Sequence, residues 1–305
     1  MNKIFDSHCH WVPPKVAENT TFFKVQWSDA DELLKAMDNS GIAQAVLLYP
    51  TSDAHLQMKG WARVCEIYNS EIAGLVKRYP DRFIGAGIIP VDKPKLIPRE
   101  MERIRQLGLK AISLASSYDG KYLDDEIFLP VFDYCERPGL PVFIHSQIIS
   151  PIGFERVNDP LLTPVVEYVF DLTMCLGKLM MSGMLAGNKK VKLVFGHFAG
   201  VAPFVRDRFD STYLMLRARS IVSDLGALPS VLLKNIYVDT SGVKSISMLN
   251  MALETFSPDK ILWGSDWPAK RDLSKSIAVI EKLNLPAEEK QGILGKNFER
   301  VMAFC

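Results

Sequence analysis

Two histidines one residue apart end the first apolar run of the chain, in Phe5-Asp6-Ser7-His8-Cys9-His10. Alternate side chains of an extended strand share a face, so both imidazoles project one way and Cys9 the other. Neutral imidazole is the commonest metal ligand near pH 7, and two rings about 6.6 Å apart along a strand can reach one ion. Three further positions have the same character: His145 ends the run 142–144, His197 ends 193–196, and Asp266 follows Trp263-Gly264-Ser265. One such residue is more often a satisfied buried polar group. Several in one cleft mark a metal or catalytic site.

Bringing them into one cleft requires a fold that collects strand ends. Eight short apolar runs (4–8, 43–49, 83–89, 110–115, 141–145, 192–197, 235–240 and 261–265) alternate with segments of helical spacing. The helical segments are 28–39, 61–79, 96–107, 125–137, 161–185, 202–225, 245–256 and 273–283, followed by a last stretch, 287–304. Continuous apolar runs are how parallel strands covered on both faces read. Ser28 reads as an N-cap with Asp31 three residues on, and Gly41, Gly108 and Gly139 read as C-terminal stops. The alternation predicts a (β/α)8 TIM barrel with a C-terminal helical extension, one domain over 1–305, because a doubly wound sheet would also want a Gly-rich phosphate turn. Barrel active sites lie at the C-terminal ends of the strands. All five polar residues fall there.

With 305 residues, 48% of them hydrophobic and 23% charged, and a formal net charge of +1, the chain reads as an ordinary globular protein. Neither nucleic acid nor a membrane is expected as a partner: no block of like charge occurs, and no apolar run approaches the roughly 20 residues of a spanning helix. The N-terminus enters the first strand without a basic and apolar leader, which predicts a cytoplasmic protein. Five cysteines without C-x-x-C spacing read as small buried hydrophobes. His55 reads as a loop residue.

The order H-x-H on strand one, His145 after strand five, His197-x-x-Gly200 after strand six and Gly264-Ser265-Asp266-x-Pro268 after strand eight resembles the amidohydrolase superfamily. Within it the chain is similar to the branch of aminocarboxymuconate semialdehyde decarboxylase. Met37-Asp38 with Gly41, the run from Tyr79 to Gly85, and Pro203-Phe204 extend the likeness along the chain. The resemblance implies that His8, His10, His145 and Asp266 hold one divalent ion and leave a position for water. Three neutral nitrogens and a carboxylate suit zinc, with manganese, iron and cobalt as alternatives. Relatives with a second ion carry a carboxylated lysine at the end of strand four. Here that strand has only Lys110, at the opposite end, so one ion is expected.

The same likeness gives His197 the part of general acid/base and makes Asp266 both ligand and proton acceptor. Arg208, eleven residues after His197, matches an arginine that binds substrate carboxylate across a subunit boundary, which implies a homodimer. Lys24 stands where the branch has a second arginine, and loses its planar fit to a carboxylate. Trp11 and Trp267, with Tyr49 and Ser113, are placed to line an apolar pocket, and 147–160 is the loop expected to set specificity. The implied activity is non-oxidative decarboxylation of a small unsaturated or aromatic carboxylic acid. The alternative is hydrolysis of a lactone, amide or related bond by the same metal-activated water.

Overall fold

The β-branched runs do form strands, and the alternation closes into a barrel. The computed structural model describes residues 3–21, 23, 25–136, 139–157, 159–187 and 191–303. Eight strands, β1 (Ile4–His10), β2 (Ile42–Leu48), β3 (Phe83–Gly87), β4 (Ala111–Ala115), β5 (Val142–His145), β6 (Leu193–Phe195), β7 (Tyr237–Asp239) and β8 (Ile261–Leu262), lie side by side in chain order, each parallel to the next. Beyond β8 the chain turns its hydrogen bonds to β1 and closes the ring: Ser7 N–H donates to Trp263 O, Asp266 N–H to His8 O, and His10 N–H to Trp267 O. This diversion shortens β8 relative to the expected 261–265. A two-stranded hairpin, 117–122, stands outside the barrel.

Inside the ring, Phe5, Val46, Leu48, Ile84, Ala86, Ala111, Phe143, Val194 and Leu262 fill the lower half. Strand residues of opposite parity, such as Leu47, Ile112, Val142, Ile144 and Phe195, face the surrounding helices. The C-terminal extension supplies the floor. Phe298 stacks on Phe5 with ring centroids 5.4 Å apart, Val301 joins the same cluster, and Asn297 donates to Ile261 O and Pro258 O.

Helix boundaries shift slightly from the sequence expectation. The first long helix, Ala30–Ser40, is capped by Asp29, whose carboxylate accepts from Glu32 N–H at 2.8 Å, and not by Ser28. Gly41 ends it in the left-handed conformation, φ 69°, where glycine is free of Cβ strain. The segment 161–185 divides into a π turn, Thr163–Glu167, and the helix Tyr168–Met181, followed by a short turn, Met184–Gly187. The helix after β6 stops at Ala218 rather than 225.

Candidate metal centre and its pocket

Regular alternation along β1 would not bring Phe5 and the two histidines to the same side. The register with β2 slips between Asp6 and Cys9, and this irregularity changes the parity, so Phe5 enters the barrel floor while His8 and His10 enter its mouth. Asp6 pins the irregular turn: its Oδ1 accepts from the N–H of His8 at 3.0 Å and of Ser265 at 2.9 Å. Two glycines then let the His8 ring sit at the barrel axis. A Cβ on Gly264 would stand 2.7 Å from His8 Cβ, and one on Gly196 would stand 2.9 Å from His8 Cε1.

Each ligand histidine is oriented by its Nδ1. His8 Nδ1 donates to Asp239 Oδ2 at 2.7 Å, His10 Nδ1 to Leu48 O at 3.1 Å, and His145 Nδ1 to Ser146 O at 2.8 Å. A backbone carbonyl can only accept, so the proton of His10 and His145 sits on Nδ1 and their Nε2 keeps its lone pair. His8 Nε2 and His10 Nε2 face each other at 3.1 Å, and Asp266 Oδ1 lies 3.9 and 3.6 Å from them. One ligand atom from each of His8, His10, His145 and Asp266 falls within 4.8 Å of all the others. Converging lone pairs and a carboxylate repel one another unless a cation lies among them. A divalent ion fits this donor set, and the bonds at Nδ1 are those that fix ligating imidazoles in other proteins.

The ionisation pattern has the same sense. Burial disfavours a charged His8, but Asp239, helped by Asp266 and Asp6, outweighs it and raises the pKa to about 9. Without a metal the balance favours a protonated His8, whose Nε2 faces His10 Nε2 at 3.1 Å. Burial, with neighbouring His8, lowers His10, and burial with His10, His8 and His197 lowers His145 far below the usual imidazole value. Burial also opposes ionisation of Asp266 and Asp239, yet the surrounding imidazoles hold both below the ordinary carboxylate range.

His197 stands beside the cluster, its ring centroid 5.0 Å from that of His8 and 5.7 Å from that of His145. Its Nδ1 donates to Ser241 O at 3.1 Å, which leaves Nε2 for chemistry. The His-x-x-Gly spacing has a structural cause. Residues 197, 198 and 199 all take positive φ, and Gly200 passes so close to the helix after β5 that a Cβ would lie 1.9 Å from Val169 O. Asp266 also has positive φ, 62°. Strained backbone of this kind gathers at functional sites.

The sequence model of the amidohydrolase family matches residues 5–304. The chain belongs to that family. It is 25% identical over 307 residues to the 2-amino-3-carboxymuconate-6-semialdehyde decarboxylase of Dictyostelium discoideum, covering 96% of this chain and 82% of that one. Among solved structures, the 5-carboxyvanillate decarboxylase of Sphingomonas paucimobilis superposes with a TM-score of 0.87 at 23% identity, over 99% of both chains. A 5-carboxyvanillate decarboxylase from Novosphingobium aromaticivorans, solved with bound manganese, gives 0.83 at 20% identity over 99% of this chain and 97% of that one.

In this amidohydrolase a cavity of about 380 Å³ opens over the cluster, reached by His10, His145, His197 and Asp266. Two larger hollows, about 700 and 710 Å³, have no histidine in their walls. Phe23 and Trp27 form one wall of the metal cavity, with Trp27 tilted 5.8 Å from the His10 ring, while Ile148, Pro164, Tyr168 and Val169 form another. The expected wall residues Trp11 and Trp267 are elsewhere. Trp11 donates to Ser28 O and faces a separate hollow, and Trp267 packs under Arg271 on the far side of β8. Trp11 follows directly on β1 and Trp267 lies five residues beyond the end of β8, and the backbone at each turns the ring outward into helix packing. Tyr49 is buried against Ser52, and Ser113 accepts from Tyr49 N–H.

Among the described residues of the loop 147–160, Ile148 reaches the cavity; Pro164, Tyr168 and Val169, on the same wall, come from the segment after it. Arg208 is exposed on the helix Ala202–Ala218 and does not enter its own chain's cavity. Lys24 lies outside the described residues. His55 belongs to a short helix, Ala54–Gln57, rather than a loop, and stacks on Trp61 away from the site. Sequence reasoning also passed over Asp239, although it ends β7 in the same way that Asp266 follows β8. Phe23 and Trp27 lie on an irregular segment and a short turn and carry no periodic signal, while Tyr168 opens the helix Tyr168–Met181, whose spacing does not say which of its residues meets the cavity.

Proposed function

We propose that this amidohydrolase is a metal-dependent carboxy-lyase that removes carbon dioxide without oxidation from a small aromatic or unsaturated carboxylic acid. The observation that carries the reading is the convergence of the His8, His10 and His145 imidazoles with the Asp266 carboxylate beside an apolar-walled cavity that also holds His197. Decarboxylases among its relatives support that reaction over hydrolysis. The assigned metal ligands are His8, His10, His145 and Asp266. A bound divalent ion would supply Lewis-acid polarisation of a substrate oxygen. Three imidazoles and a carboxylate fit zinc, and a similar enzyme holds manganese; elemental analysis of protein purified without chelator decides between them.

The chain's own residues do the rest. Trp27 and Phe23 on one side and Tyr168 and Ile148 on the other sandwich a ring and exclude water. His197, held through Nδ1 by Ser241 O, presents Nε2 to the substrate and places its proton on the carbon that carries the carboxylate. The carbon–carbon bond to the carboxylate then breaks, carbon dioxide leaves, and the ring keeps the proton. A proton from solvent, relayed by the ionised Asp266 carboxylate, then returns His197 Nε2 to its protonated form. The test is turnover of a panel of hydroxybenzoic and carboxyvanillic acids in heavy water. Carbon dioxide and one deuterium at the vacated carbon are expected. Ring-opened product, or solvent oxygen in a product carboxylate, would instead establish hydrolysis.

A homodimer belongs to the same proposal. Phe204, Arg208, Ser211 and Met215 recur at helical spacing on one exposed face of Ala202–Ala218, with Phe204 80% exposed. Val166, Phe170 and Met174 form a second exposed apolar row on the neighbouring segment. A second copy covering these rows would bury them and carry Arg208 towards the other chain's site. No described helix is long and apolar enough to cross a membrane. The buried thiols of Cys9, Cys65 and Cys175 support residence in the reducing cytoplasm.

A further inference from the structure

Among the described residues, one lysine or arginine, unused by the proposed chemistry, lines the cavity over the metal ligands. Lys270 lines it beside Ala269, and its backbone N–H is fixed by Asp266 O at 2.9 Å. The charged neighbours of Lys270 are already engaged: Arg271 pairs with Glu32 at 2.6 Å and Asp272 with Lys275 at 2.7 Å. Among the described residues no carboxylate lies within ion-pairing distance of the Lys270 ammonium, Asp266 included. The rest of the cavity wall is mainly aromatic and aliphatic. At about 380 Å³ its volume lies at the small end for ligand sites and suits a single substituted ring.

The carboxylate that is lost must lie at the ligand end, next to His197. A lysine paired to that group would stabilise the reactant more than the transition state, because the charge it holds disappears as carbon dioxide forms. Such a cation serves the reaction when it grips an anionic group that stays on the ring. We infer that Lys270 is the specificity-determining residue of this cavity, and that the substrate is a ring acid bearing a second anionic group, a dicarboxylate or its equivalent. This rests on the proposed decarboxylase reading for the identity of the leaving group, while the anion preference itself is a property of binding.

The experiment measures binding to the metal-loaded protein, read by calorimetry or by quenching of tryptophan fluorescence, with benzoate and the three benzenedicarboxylates as probes. At least one dicarboxylate isomer should bind about tenfold more tightly than benzoate, the size expected of one charge-assisted hydrogen bond. Lys270→Met should abolish that advantage and leave benzoate unchanged, and Lys270→Arg should restore most of it. Equal affinities for benzoate and all three isomers in the parent protein would overturn the inference. So would a dicarboxylate preference that survives in Lys270→Met, or an equal loss of benzoate and dicarboxylate binding in that variant. Absence of carbon dioxide release from every ring acid would count against the decarboxylase reading alone, since the binding comparison does not depend on turnover. Lys270 is exposed, so its replacement leaves the barrel intact.

Discussion

Replacing Asp239 by asparagine removes one charge from the middle of the site while keeping its shape, and the hydrogen bonds made by that carboxylate set the outcome. Asp239 Oδ2 accepts from His8 Nδ1 at 2.7 Å, and its Oδ1 accepts from the N–H of His197 and of Ser241, each at 3.0 Å. An amide has one oxygen. If that oxygen faces His8, the NH₂ group confronts two backbone donors, and buried donors without a partner cost about 1–3 kcal/mol each. If the amide turns over, its NH₂ faces His8 and forces the ring proton onto Nε2, the atom required by the ion. Loss of a carboxylate that orients a ligating histidine typically weakens metal binding 10- to 100-fold, which is about 1.4–2.8 kcal/mol. Competition titration against a chelator of known affinity measures this directly. A second measure comes from proton release: with His8 raised to about 9 by Asp239, loading the parent protein with metal at pH 7.5 should expel about one proton per chain, and the asparagine variant should expel markedly less. Metal affinity within twofold of the parent together with an unchanged proton count would show that Asp239 merely fills space, and the orientation argument would be wrong.

The same ionisation makes the metal-free protein sensitive to alkali. An unfolded histidine titrates near 6.5, so between about pH 6.5 and 9 the folded state holds a proton that the unfolded state has lost, and stability falls as pH rises through that window. Thermal melts of chelator-treated protein should show the decline, and metal-loaded protein should not. His197→Asn should lower kcat by about 10²- to 10⁴-fold, the range for a general acid/base, with metal content per chain unchanged; loss of metal would move His197 from proton donor to ligand. Gly264→Ala pushes a methyl to 2.7 Å from His8 Cβ, and overpacking of this kind costs about 1–3 kcal/mol. Both the melting temperature and the metal content should drop, and a variant that kept both would contradict the close approach. Phe298→Ala opens the barrel floor beneath Phe5 at a cost of about 3–5 kcal/mol, readable by denaturant titration, while activity per folded molecule should persist because the floor touches none of the metal ligands.

The strand count, the parallel order and the gathering of His8, His10, His145, His197 and Asp266 at one end of the barrel were legible in the sequence because each rests on local pattern, apolar runs of strand length and polar residues where those runs stop, whereas the choice of four of the five as ligands came from the family resemblance. The C-terminal helices were legible as helices, though their role as a plug against Phe5 was not. What only the tertiary structure decided depends on direction and on residues far apart in the chain. The slip in β1 sets Phe5 and His8 on one side despite their unlike parity. Asp239 gains its meaning from His8, 231 residues away. Trp11 and Trp267 have the chemistry of pocket walls, but backbone turns after β1 and near β8 aim them into helix packing, and Phe23 and Trp27 from an irregular stretch and Tyr168 from the start of a helix take that place. Spacing along the chain specifies which side chains arrive at the mouth of a barrel, whereas the angle at which each arrives is set by bulges, positive φ and close glycine contacts that no local periodicity encodes.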